Sequence, residues 1–165
     1  MHESRIAALQ AMPIFGGVRA DVLEVLVNSA RAVSVAEGAF FFHEGDQAGS
    51  MFVLESGDVV ILKGWGGAQH ELGRLRSGDC FGEMALLDLF PRSASVQAVK
   101  PCVALELFTA SLYKLYETDL EQFALVQMNI ARELSRRLRA ADERAFQSRV
   151  GLDPGAGGDW SLLII

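Results

Sequence analysis

The chain has 165 residues, 50% of them hydrophobic, and a formal net charge of -6. That length buries a core without disulfide or metal staples, and the composition excludes an intrinsically disordered polymer. The acidic balance argues against a surface that wraps nucleic acid, because phosphate binding requires a concentrated basic face. Cys80 and Cys102 are too few for a disulfide framework and lack CxxC spacing, so they read as buried thiols in a reducing compartment. The start, "MHESRIAALQAMP", has no apolar h-region, and no stretch approaches the roughly 18 apolar residues of a membrane span. The expected setting is the cytoplasm, without membrane contact.

Residues 4 to 12 and 20 to 30 ("ADVLEVLVNSA") carry apolar residues at helical spacing, joined by a turn at "PIFGG". From about residue 31 the period changes to short β-branched and aromatic runs cut by Glu-Gly, Ser-Gly-Asp and Gly-Gly. Strands are expected near 31–36, 39–43, 50–55, 58–63, 69–75, 94–99 and 102–108. Turn signals at such intervals mark an antiparallel sandwich or barrel. The Ser56-Gly57-Asp58 step reads as a tight hairpin turn. At the tip of "KGWGGAQHE", Trp65 reads either as an exposed partner contact or as a ring folded back to shield the barrel mouth, and the second is favoured because barrel loops often pack on themselves.

After Thr109 the helical period returns, with a short helix over 111–117 and a long one over about 119–148. The seam Phe123, Ile130, Leu134, Leu138 and Ala141 on that long helix predicts a homodimer. The tail 149–165 opens with a Gly/Pro/Asp linker and ends in apolar residues from Trp160 to Ile165, either docked or mobile.

The stretch "FGEMALLDLFPRSASV", residues 81–96, sets one acid, Glu83, and one base, Arg92, in apolar sequence. It reads as a short link followed by a one-turn helix over Glu83–Leu86, whose exposed amides favour an anion. Gly82 would let a ligand approach the backbone, and Arg92 offers a planar fork matched to two phosphate oxygens. Glu83, which only accepts hydrogen bonds, suits a sugar hydroxyl. Two arrangements fit these residues: a bipolar pocket for a phosphate and a hydroxyl, or an Arg92–Glu83 surface pair worth roughly 0–1 kcal/mol.

The same stretch closely resembles the phosphate-binding cassette of cyclic-nucleotide-binding domains, as in catabolite-activator-type regulators and protein kinase regulatory subunits. Upstream, "VAEGAFFFHEGDQAGSMFVLESGDVVI" is similar to that family as well, and the likeness covers about residues 1–145. It implies a mainly β fold with flanking helices: a double-stranded β-helix jelly roll of eight strands with N-terminal helices and a long C-terminal helix. The domain is then expected over 1–148, with its barrel at about 31–108, followed by the flexible tail.

The resemblance further implies a ligand site of Phe81, Gly82, Glu83, Met84, Ala85, Arg92, Ser93 and Ala94. In it Glu83 accepts from a ribose 2′-hydroxyl, and Arg92 pairs with the exocyclic oxygens of the cyclic phosphate. Amides near Met84 and Ala85, with Ser93 and Ala94, complete the phosphate contacts. Serine at position 93 points to cAMP over cGMP, although its hydroxyl is equally able to cap its own loop. In the family the helix after the barrel covers the base. Here Arg132, Arg136, Arg137 and Arg139 are open either to stacking on a purine or to pairing with Glu133, Asp142 and Glu143, so no lid residue is assigned.

Regulators of the catabolite-activator type continue into a winged helix-turn-helix. Only residues 150–165 follow Arg149, so this chain is expected to lack that DNA-binding unit. His2, His43 and His70 lack metal-ligand spacing, and no nucleophile-base pair is in sight, so neither a metal nor an enzyme activity is expected. The resulting expectation is a regulatory cAMP receptor that signals through its C-terminal helix to an unidentified protein. The competing reading is a ligand-independent dimerisation or scaffold module, closed by an Arg92–Glu83 pair.

Overall fold

The computed structural model describes residues 2–150. Helices α1 (His2–Gln10) and α2 (Ala20–Ser29) flank a 3-10 turn at Pro13–Phe15. Helix α1 stops short of the expected residue 12 because Met12, preceding a proline, is extended (φ -79, ψ 140). Eight strands follow: β1 (Arg31–Val35), β2 (Phe40–Phe42), β3 (Ser50–Ser56), β4 (Asp58–Trp65), β5 (Ala68–Arg76), β6 (Cys80–Phe81), β7 (Ser95–Ala98) and β8 (Cys102–Phe108). Between β6 and β7 lies the one-turn helix α3 (Met84–Leu87), and α4 (Thr109–Thr118) and α5 (Leu120–Val150) follow β8. The sequence reading treats β6 as a link, since a two-residue strand carries no period.

The strands form two four-stranded antiparallel sheets, ordered β1-β8-β3-β6 and β2-β7-β4-β5. First pairs with eighth, second with seventh, third with sixth and fourth with fifth, as a long hairpin gives when it is rolled up. This is the expected jelly roll. Phe52, Leu54, Val59, Phe81, Val96, Ala98, Cys102 and Ala104 fill the space between the sheets. The alternate residues Met51, Val53, Leu105 and Leu107 are also buried, because helices α2 and α4 pack on β8. One sheet is therefore covered on both faces, which explains its nearly continuous apolar runs.

Two local expectations change. Ser56-Gly57-Asp58 is a corner that carries the chain from one sheet to the other, not a hairpin. Gly57 sits at φ +94, and a Cβ there would lie 2.6 Å from both Cys102 Sγ and Pro101 O. The strand pair that does close tightly is β4–β5, through Gly66-Gly67 with Trp65 opposite Ala68. Trp65 is 81% exposed and does not shield the barrel mouth. The ribbon runs on past Leu62, where β7 ends its pairing, so its tip has no third strand to fold against.

Two compact units lie along the chain, divided between Ile130 and Ala131. The first holds both sheets, α1 to α4 and the root of α5. Asn129 Nδ2 donates to Ile14 O (3.1 Å) and Gly16 O (2.9 Å), and Gln122 Oε1 accepts from Arg19 N (2.9 Å). Ile130 is fully buried here, so it is not available to the partner seam expected of it. In the second unit α5 exposes Leu138, Phe146 and Val150, and Arg136 pairs with Glu133. The tail from residue 151, with Trp160 and its apolar end, lies outside the described residues.

Gly57→Ala combines backbone strain with a steric clash and is expected to cost about 2–5 kcal/mol. Gly38→Ala, where no atom lies within 4 Å of an added Cβ, isolates the strain at about 1–2 kcal/mol. Equal urea midpoints for the two variants would refute the tight corner.

Candidate functional site

The cassette is held at both ends by backbone bonds. Entry is set by β6, which pairs Phe81 with Phe52 and Cys80 with Val53 of β3. The first bonds of α3 are Leu86 N–H to Glu83 O and Asp88 N–H to Met84 O, so the Met84 and Ala85 amides are not used by the turn itself. The helix begins one residue later than expected, with Glu83 as its N-cap. The loop back is pinned where Arg92 N–H donates to Asp46 O and Gly45 N–H to Arg92 O, both at 2.9 Å. Lys63 of β4 reaches across to Ser93 O at 2.7 Å and to Glu44 at 2.6 Å.

Arg92 is 6% exposed. Its Nη1 donates to Gly82 O at 2.9 Å and its Nη2 to Ser50 Oγ at 3.3 Å, while Cζ lies 4.1 Å from the centre of the Phe42 ring. Buried Nε makes no hydrogen bond among the described residues. Burial lowers the pKa of this guanidinium; Glu106, then Asp46, then Glu83 oppose that shift. The hydrogen bonds thus go to a carbonyl and a hydroxyl, and the carboxylate that acts most strongly on Arg92 is Glu106 of β8. Gly82 also serves the arginine. At φ +79 its missing Cβ would stand 2.6 Å from Arg92 Nη1, so the glycine makes room for the arginine.

Glu83 is 3% exposed, Phe81 2%, Ala85 5% and Ala94 8%. Met84 is exposed, and so is Ser93, whose Oγ faces Met84 Sδ at 3.7 Å. The structure thus brings the two halves of the cassette together, Gly82 against Arg92 and Met84 against Ser93. A buried carboxylate and a buried guanidinium with an unused donor suit a ligand carrying both a hydroxyl and an anionic group. Ser50, Phe42 and Glu106 were missed. The available signal was a lone acid inside the apolar strand "CVALELF" and a triple phenylalanine ahead of Glu44.

Among the described residues no helix is long and apolar enough to cross a membrane, and no cluster of three or more His, Cys, Asp or Glu residues is arranged to hold a metal. The family described as "Cyclic nucleotide-binding domain" matches residues 32–119. The "Cyclic AMP receptor protein" of Thermus thermophilus is 32% identical over 135 residues, 81% of this chain and 61% of that protein. A "cAMP-dependent protein kinase regulatory subunit" of Mucor circinelloides is 33% identical over 73 residues, 44% of this chain and 17% of its length. The crystal structure of Thermus thermophilus catabolite activator protein superposes with a TM-score of 0.71 at 31% identity, covering 83% of this chain and 63% of that one. The chain thus spans less than two thirds of these relatives, but the matched family covers its barrel from β1 to β8, cassette included, and the chain belongs to the cyclic nucleotide-binding domain family.

Proposed function

We propose that this domain is a receptor for a cyclic nucleotide, cAMP in the first instance, in which Arg92 holds the cyclic phosphate and Glu83 the ribose 2′-hydroxyl. One observation carries the reading: a guanidinium 6% exposed whose buried Nε makes no hydrogen bond among the described residues. Burying a charge is costly unless partners compensate it, and a phosphate would supply both charge and acceptors. The scaffold reading requires Arg92 to be closed by Glu83, whereas its hydrogen bonds go to Gly82 and Ser50. Ser93 and the cAMP-named relatives from Thermus and Mucor favour adenine.

The output on this reading is a shift in α5. The ligand binds more tightly to the state in which the long C-terminal helix covers the pocket, and population moves toward that state. Leu138, Phe146 and Val150, exposed at intervals of eight and four on that helix, fit a homodimer contact. We further infer a cytoplasmic setting and a regulatory rather than enzymatic role.

Thermal unfolding with and without nucleotide tests the receptor. At about 100 times the dissociation constant, cAMP is expected to add roughly 2.7 kcal/mol, with a smaller gain from cGMP. Arg92→Ala should abolish that gain while changing ligand-free stability by no more than about 2 kcal/mol, because Glu106 keeps Ser50 and Arg31 as partners. An unshifted melting temperature in the wild-type protein would refute the receptor. The ribose contact has its own check: Glu83→Gln should weaken cAMP about tenfold, near 1.4 kcal/mol, yet bind 2′-deoxy-cAMP as the wild type does. Sedimentation equilibrium addresses the dimer, which Leu138→Asp is expected to convert to monomer.

A further inference from the structure

The acceptor of Arg92 is itself held. Ser50 Oγ donates to Glu106 Oε1 at 2.7 Å, and the other oxygen of Glu106 accepts from Arg31 Nε at 2.7 Å. The serine has one proton, directed at Glu106, so it meets Arg92 Nη2 with a lone pair. The order Arg92, Ser50, Glu106, Arg31 follows from sheet register. Glu106 is opposite Phe52 on one side and Arg31 on the other, and Ser50, two residues before Phe52, shares its face. That face looks into the barrel, where Phe52 belongs to the core.

Such an arrangement is a poor device for stability. Ser50 and Glu106 are 6% and 5% exposed, and a carboxylate turned into a barrel lined by Phe and Ala loses its hydration. What the pair does provide is direction. Glu106 is the carboxylate that acts most strongly on Arg92, and three strands hold the chain in place. Arg31, with 65% of its side chain exposed, touches neither the cassette nor the pocket through any of its hydrogen bonds, yet it anchors the far end. A fork that must meet two phosphate oxygens at once is sensitive to small rotations, and side chains set on strands through a supporting shell limit them.

We propose that Ser50, Glu106 and Arg31 are positioning residues: a hydrogen-bonded relay across β3, β8 and β1 that orients the Arg92 guanidinium and thereby sets phosphate affinity and stereochemical preference. The functional half of this inference rests on Arg92 being the phosphate ligand; the relay itself does not. Both are testable on the full chain.

In the ligand-free protein, side-chain nitrogen NMR of Arg92, assigned with Arg92→Lys, reads rotation of the guanidinium about its Nε–Cζ bond. Rotation is expected to be slow in the wild type and at least severalfold faster in Arg31→Ala and Ser50→Ala, with Arg31→Lys close to wild type. Binding is then measured for cAMP, its Rp and Sp phosphorothioates and 2′-deoxy-cAMP. Arg31→Ala is expected to weaken cAMP about tenfold, the scale of a lost supporting contact. It should also draw the Rp/Sp affinity ratio toward one and leave the 2′-deoxy penalty at its wild-type value, a pattern that general loosening of the fold would not give. Unchanged rotation in both variants, or an unchanged Rp/Sp ratio in a protein that binds cAMP, would overturn the relay and leave the receptor standing. Faster rotation in variants of a protein that takes none of these nucleotides would support the relay and overturn the receptor.

Discussion

A permanently charged guanidinium placed where water is largely excluded needs acceptors from the fold itself, and much of the cassette's local geometry follows from that need. Gly82 lacks a Cβ because Arg92 Nη1 lies where one would be. Phe42 offers its ring face at 4.1 Å, a favourable contact for a cation, and so stands in for part of the lost hydration. Loop 43–46 holds the arginine's own backbone through Asp46 O and Gly45 N, which ties the turn after β2 to the exit of the cassette. These contacts come from sequence positions far apart, and the arginine is where they converge.

Where a signal was local, the residues disclosed it. Helical and strand periods place nearly every element, and the cassette is recognisable as a contiguous string from Phe81 to Val96. Where the decisive fact was a pairing between distant strands, they did not. Ser56-Gly57-Asp58 has the composition of a hairpin turn, and only the position of Pro101 and Cys102 beneath Gly57 shows that it is a corner. Glu106 and Ser50 lie 56 positions apart, and their meeting depends on a register no local pattern encodes. Trp65 illustrates the opposite error: an apolar ring implied shelter, but the ribbon that carries it outruns its neighbouring strand.

The long helix joins two physical regimes. Up to Ile130 it is anchored by Asn129 to the turn at Ile14 and Gly16, and by Gln122 to Arg19. Arg19 Nη2 also reaches Asp119 at 2.9 Å, just ahead of the helix. Beyond Ile130 it turns Leu138, Phe146 and Val150 outward. Any rearrangement of α5 must therefore begin past that root or carry the N-terminal turn with it. The barrel's own packing and the exposed apolar side chains accordingly occupy different stretches of one helix.

The rolled-hairpin order of the strands has a kinetic side. Pairing of β4 with β5 closes a two-residue loop, whereas β1 meets β8 across a separation of 75 residues between Arg31 and Glu106. Loop-closure entropy opposes the longer connections, and each inner pair shortens the effective distance for the next one out. The polar chain behind Arg92 joins β3 to β8 and β8 to β1, so it is completed by the most distant pairings in the barrel. A chain with only its inner hairpin formed has the ribbon and Trp65 but not the hydrogen-bonded chain that reaches Arg92. The surroundings of Arg92 are thus bound up with closure of the whole roll, and a nascent or partly opened barrel leaves that guanidinium without the acceptor that Ser50 supplies.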